Sequence, residues 1–205
     1  MDFDPSLYRK PDGEDGRELM EHMNAHHRPL MVWAIGELPP GRGRILDIGC
    51  GGGLSLELLA GAYEGSHVTG IDHSADAVEV SLARNAPLVE AGRCDVLAAS
   101  VSDMPFTERS FDLVTAFETY FFWPEPTEDI RKACRLVAPG GVIAVVSEVR
   151  AKPGNEDAVL EYESVYGMRL LTDGEVLGAM RSEGLEARAL HHGNGDWVTY
   201  LGRRP

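Results

Sequence analysis

The stretch Ile45-Leu46-Asp47-Ile48-Gly49-Cys50-Gly51-Gly52-Gly53 carries the spacing with the clearest chemical meaning. An apolar run contains an acid, Asp47, and passes into glycines at alternate positions, Gly49, Gly51 and Gly53. Glycine lets backbone amides approach a ligand closely, and a helix pattern opening at Leu54 aims its N-terminus at the same place. A second acid, Asp72, ends the next short apolar run, His67-Val68-Thr69-Gly70-Ile71-Asp72. The expected chemistry is capture of a small nucleotide-like ligand between a glycine turn and a carboxylate. Cys50, inside the turn, reads as a small filler, because no base that would activate it is evident.

The elements that must hold these residues follow in order. Residues 1–16 read as an irregular arm. An apolar helical pattern over 17–38 is expected to split into two helices at Pro29. The opening strand and its helix to about Gly61 come next, then the 67–72 strand. Ser74 caps a helix expected over 75–90. Strands are expected at Asp95–Ala99 and Phe111–Ala116, followed by an aromatic cluster, Phe117, Tyr120, Phe121, Phe122 and Trp123. Thr127 reads as the N-cap of a helix to about Val137, and Pro139-Gly140-Gly141 as a turn into a strand at Val142–Val149. A helix from about Asn155 and a capping box, Thr172 to Glu175, precede two strands, Leu185–Leu190 and Trp197–Leu201, joined by Gly193-Asn194-Gly195. Strands alternating with helices predict an α/β fold, a doubly wound and mostly parallel sheet with a C-terminal antiparallel hairpin and an N-terminal helical cap. One domain is expected: arm and cap over 1–40, a ligand-binding core over 44–148, and C-terminal helices and hairpin over 149–205.

Composition narrows the partners. The chain has 205 residues, 43% apolar and 25% charged, with a net charge of -14. That acidic bias repels phosphate backbones and argues against nucleic acid as a partner. Three separated cysteines and an acidic N-terminus without an apolar leader segment predict a reducing, cytoplasmic setting. The longest clean apolar run, Val142 to Val146, is far too short for a bilayer, so no membrane association is expected.

Two ligand families use such a turn. The dinucleotide fingerprint needs a third glycine where this chain has Leu54. The pattern present, Asp47-x-Gly49-x-Gly51-x-Gly53, resembles the first motif of the class I S-adenosylmethionine-dependent methyltransferases. Met104-Pro105-Phe106 with Ser110-Phe111-Asp112-Leu113-Val114 resembles that family's loop and fourth strand, and Arg135-Leu136-Val137-Ala138-Pro139-Gly140-Gly141 resembles its later turn. The resemblance spans 44–148 and implies S-adenosylmethionine as cofactor. Asp72 is then the acid that accepts both ribose hydroxyls. Asp47, Gly49, Cys50, Gly51, His73, Ser100, Val101, Ser102 and Phe117 complete the implied cofactor set. Ala99-Ser100-Val101 departs from the family's Gly-Asp-Ala, which leaves Ser100, Ser102, Asp103 or the Val101 backbone to meet the adenine.

Methyl transfer is an in-line displacement that asks for an aligned acceptor, a dry site and, where needed, a proton acceptor. The wall for the acceptor is expected at the end of the fourth strand. Tyr120 and Trp123, which have polar handles, and His26 are the expected substrate contacts, whereas Phe121 and Phe122 are expected to pack the core. Glu118, His27 and Tyr120 are the candidate catalytic groups. His22 and His26 are spaced i,i+4, as zinc ligands can be, but without a placed third ligand (His191 and His192 are a remote possibility for one) no metal is expected. The expected activity is methylation of a small molecule by a monomer or homodimer. The alternatives are a cofactor-binding protein without methylation activity and a nicotinamide-dependent oxidoreductase.

Overall fold

The computed structural model describes residues 3–41, 43–193 and 195–205. Its centre is a seven-stranded sheet in the order β3-β2-β1-β4-β5-β7-β6. The strands are β1 (Arg44–Ile48), β2 (His67–Asp72), β3 (Cys94–Ala98), β4 (Phe111–Phe117), β5 (Val137–Ser147), β6 (Glu186–His191) and β7 (Val198–Arg203). The pairs β1/β2, β1/β4, β2/β3 and β4/β5 are parallel, whereas β7 pairs antiparallel with both β5 and β6. The expected C-terminal hairpin is therefore present, although its turn residue Asn194 lies outside the described residues.

The helices are α1 (Ser6–Arg9), α2 (Gly13–Gly36), α3 (Leu54–Ala62), α4 (Ala75–Arg84), α5 (Ala86–Glu90), α6 (Pro126–Arg135), α7 (Glu156–Tyr166) and α8 (Asp173–Ser182). Side chains alternate across the sheet, as a period of two requires. Ile143 and Val145 of β5 join one core with α6 and α8, while Val142, Ala144 and Val146 join the other with α2 and α3. Both faces are thus covered, as a largely parallel sheet demands. No helix among the described residues is long and apolar enough to cross a membrane.

Five expectations are corrected. The arm over 1–16 is not irregular, since it holds α1 and the first turn of α2, and Pro139-Gly140-Gly141 falls inside β5 rather than before it. Pro29 does not break the N-terminal helix: α2 runs through it from Gly13 to Gly36. Proline costs about 3 kcal/mol inside a helix. Here Leu19 and Met20 before it and Leu30, Met31 and Ala34 after it are all buried, and that shared apolar face outweighs the cost. The stretch expected as one helix over 75–90 is two, because Asn85 ends α4 and Pro87 sits in the first turn of α5. The Asn85 amide donates to the carbonyls of Ser81 and Gly53, so this break also pins the glycine loop. Finally, α6 starts at Pro126 rather than after Thr127. Asp129, fully buried, accepts the Glu125 amide and does the capping from inside. The capping box of Thr172 and Glu175 forms as expected.

Candidate active site

The strand order reverses between β1 and β4, and crevices at the C-terminal ends of strands flanking such a reversal are where open α/β sheets bind ligands. The β1 end carries the glycine loop. The amides of Gly49 and Cys50 both donate to the Ile71 carbonyl of β2, at 2.8 and 3.0 Å, which fastens the loop to its neighbour strand. Gly49, Gly51 and Gly53 have φ of 75°, 51° and 77°, where a side chain would be strained. A Cβ at Gly49 would collide with the Thr119 side chain, whereas one at Gly51 would meet nothing and would project into open space.

Asp72 faces this loop from the end of β2, 7% exposed. Its Oδ2 accepts the Gly51 amide at 3.0 Å and its Oδ1 the Ser74 amide at 2.9 Å. Each carboxylate oxygen keeps a further lone pair for a ligand. Asp47 lies beneath the loop, accepting from Thr115 Oγ1 at 2.6 Å and Ser55 Oγ at 2.5 Å. It thereby joins β1, β4 and α3. Burial pushes its pKa up to about 6, against the pull of those two hydroxyls. Burial, with the nearby Asp72 and Asp47 charges, also lifts the Cys50 thiol well above its ordinary range, which disfavours the thiolate.

At the β4 end, Glu118 holds φ of 53°, an uncommon conformation for a residue with a side chain. Two main-chain contacts over-determine it: its amide donates to the Val146 carbonyl, and its Oε1 accepts the Glu148 amide. Burial, then the neighbouring Glu148 charge, raises its pKa well above the carboxylate range. Its Oε2 stands 3.9 Å from Nε2 of His27 on α2.

A single cleft of about 340 Å³ joins the two ends. Of the residues expected from sequence, Gly49, Cys50, Gly51, Asp72, His73, Ser100, Val101, Phe117, Glu118, His27 and Trp123 line it. Four expected residues, Asp47, Ser102, Tyr120 and His26, are not among its lining. Asp47 acts from below the loop. Ser102 turns its hydroxyl to Asp129. Tyr120 is fully buried, its hydroxyl accepting the Leu171 amide at 3.4 Å, and its place on the wall is taken by Phe122. The 3₁₀ turn at Tyr120–Phe122 rotates successive rings by a third of a turn, an order the sequence does not disclose. His26 points outward to Glu148.

The cleft also has lining that sequence reasoning missed: Tyr8, Arg9 and Pro11 of the arm, and Met20, Met23 and Asn24 of α2. Asn24 Nδ2 is buried without a hydrogen-bond partner among the described residues and lies against Gly52, where even a Cβ would come within 2.5 Å of it. A polar residue on the buried face of α2 was the only signal for it.

A methyltransferase-domain family model matches residues 46–145. A ubiquinone biosynthesis O-methyltransferase of Paracidovorax citrulli is 32% identical over 171 residues, covering 77% of this chain and 70% of that protein. The chain belongs to the class I S-adenosylmethionine-dependent methyltransferases. A second relative of the same name, from Xanthomonas axonopodis pv. citri, is 37% identical over 145 residues, covering 70% of this chain but 58% of its own length. The chain thus spans little more than half of some of the curated relatives it matches. The fold agrees with that of a geranyl diphosphate C-methyltransferase from Streptomyces coelicolor A3(2), whose structure includes S-adenosyl-L-homocysteine: TM-score 0.72, 16% identity, covering 96% of this chain and 86% of that one.

S-adenosylmethionine is accordingly the methyl donor of this methyltransferase, and the residues present fit it. The cleft has open space beside Gly51, a carboxylate with free lone pairs at Asp72, and an amide donor without a partner at Asn24.

Proposed function

We propose that this methyltransferase methylates a hydroxyl group of a small molecule held at the β4 end of the cleft. The observation that carries the reading is the continuity of that cleft. One wall is the glycine loop with Asp72, and the other presents Phe117, Phe122 and Trp123 around the polar pair Glu118 and His27. Bound there, S-adenosylmethionine supplies an electrophilic methyl group on a sulfonium, whose charge is lost on transfer.

The chain's own residues do the rest. Asp72 takes the ribose hydroxyls, the open backbone at Gly51 lets the ligand lie close, and the Asn24 amide donates to the amino-acid carboxylate. Val101 and Ser100 line the region for the adenine. The aromatic wall keeps water from the reacting atoms, and its ring faces favour the sulfonium cation. Glu118 Oε2 hydrogen-bonds the acceptor hydroxyl and fixes its orientation, and the hydroxyl proton is released to solvent as the oxygen–methyl bond forms. The acidic surface supports a free small molecule rather than nucleic acid as acceptor.

The test is transfer of labelled methyl from S-adenosylmethionine to a panel of phenols, carboxylic acids and amines. Label on hydroxyl acceptors is expected. Glu118→Gln should lower that turnover roughly two- to tenfold, as loss of a hydrogen bond between uncharged groups does, while S-adenosylhomocysteine binds unchanged. Label confined to amines would overturn the hydroxyl assignment. Tight cofactor binding with no acceptor labelled would favour a binding protein instead.

A further inference from the structure

Two consecutive residues of a helix ordinarily face different ways. On α2, however, Nε2 of His26 and Nε2 of His27 both converge on one carboxylate oxygen, Glu148 Oε1 just beyond β5, at 3.3 and 3.6 Å. Pro29 follows within the same helix and offers no N–H to the Ala25 carbonyl one turn earlier, so the backbone beside the two histidines lacks one of its usual ties. One ligand atom from each of the three side chains lies within 4.8 Å of the others. This is the one such group among the described residues.

We infer that His26, His27 and Glu148 form a binding site for one divalent first-row transition-metal ion. The spacing fits. Bonds of 2.0–2.2 Å from a tetrahedral ion set neighbouring ligand atoms about 3.4 Å apart, close to the two distances observed. The donor set selects the ion class: two imidazole nitrogens with one carboxylate suit Zn²⁺ or Fe²⁺, whereas Mg²⁺ and Ca²⁺ prefer oxygen alone.

The surroundings complete the site. The Glu148 main chain is fixed by Glu118, through the amide that Glu118 Oε1 accepts. His26 is largely exposed and His27 mostly buried against the cleft, so an ion on these three ligands keeps a coordination position open to solvent or to a cleft ligand. Without an ion, the two imidazoles satisfy Glu148 as hydrogen-bonded partners and hold its pKa below the usual glutamate value, His27 contributing most. The same geometry thus serves both the empty and the loaded state. The i,i+4 pair His22 and His26 is not the site, since His27 and Glu148 supply the convergent atoms.

The inference stands apart from the acceptor's identity and is tested by binding alone. Untagged full-length protein, stripped with a chelator, is titrated with Zn²⁺ by calorimetry and with Co²⁺ by visible absorption. One equivalent per chain is expected, with cobalt bands of a four- or five-coordinate site. His26→Ala and Glu148→Gln should each weaken Zn²⁺ at least tenfold, and His22→Ala should not. S-adenosylhomocysteine affinity, measured in parallel, checks that each variant is folded. Absent saturable binding, or Zn²⁺ affinity unchanged in folded His26→Ala and Glu148→Gln proteins, overturns the site.

Discussion

The two ends of the cleft are built on opposite plans. The cofactor end is made of backbone: a loop of positive-φ glycines fastened to Ile71, with Asp72 only one residue further along the same strand. The acceptor end is made of side chains brought from remote parts of the chain. His27 comes from α2, Glu118 from the end of β4 and Glu148 from beyond β5. A site of the first kind is held by its backbone, and at Gly49 it has no room for an added atom. One of the second kind can change its side chains without disturbing the fold, which suits a family that keeps one donor and varies its acceptors.

Substitutions that separate the two plans follow from that contrast. The largest effect is expected at Gly49. Alanine there incurs left-handed strain of about 1–2 kcal/mol and a collision with Thr119 of the kind that costs about 1–3 kcal/mol more. Thermal denaturation should show a large fall in Tm, and S-adenosylhomocysteine binding should be lost. Gly51→Ala faces open space, so it should cost only the strain term in stability while still impairing cofactor binding. Equal Tm losses at the two glycines would show that packing behind Gly49 is not what holds the loop.

Asp72→Ala removes the acceptor for two amides and for the ribose, and should weaken S-adenosylhomocysteine by about 1.5–3 kcal/mol, roughly ten- to a hundredfold, in calorimetry. Glu118→Gln at the other end should leave that affinity alone. If both variants lowered cofactor affinity alike, the division into two ends would fail.

Asp47 gives the pH signature of the buried β1 junction. Its pKa of about 6 in the folded chain exceeds the ordinary 3.8. Between those values the folded protein keeps a proton that the unfolded chain releases, so Asp47's contribution to stability is present at low pH and is lost as pH rises through about 6. At roughly 1.4 kcal/mol per pKa unit the loss is about 2–3 kcal/mol. Asp47→Asn cannot ionise and should flatten Tm over that window. A slope identical to the parent's would assign it to other groups. On stability the smallest effect is expected at Asn24, where alanine should weaken S-adenosylhomocysteine by about 1.5–3 kcal/mol with Tm unchanged or raised, because the donor it removes has no partner among the described residues.

These differences also mark how far the sequence could be read. Glycine spacing, the acid at the end of β2, strand alternation and the Thr172 capping box are local facts of the chain, set by dihedral preference and period, and they gave the fold and the cofactor loop. Whether α2 runs through Pro29 depends on apolar contacts on both sides of it. Which ring of Tyr120, Phe121 and Phe122 meets the cleft depends on a single 3₁₀ turn. Neither is settled by the residues nearby.

By itself the sequence determined a doubly wound sheet and the donor its glycine turn accepts, because a backbone site is written in consecutive residues. Only the tertiary structure brought Glu118, His27 and Glu148 together and left Asn24 without a partner. Side chains separated by 30 to 121 positions meet through strand order and helix packing, and no local pattern records that meeting.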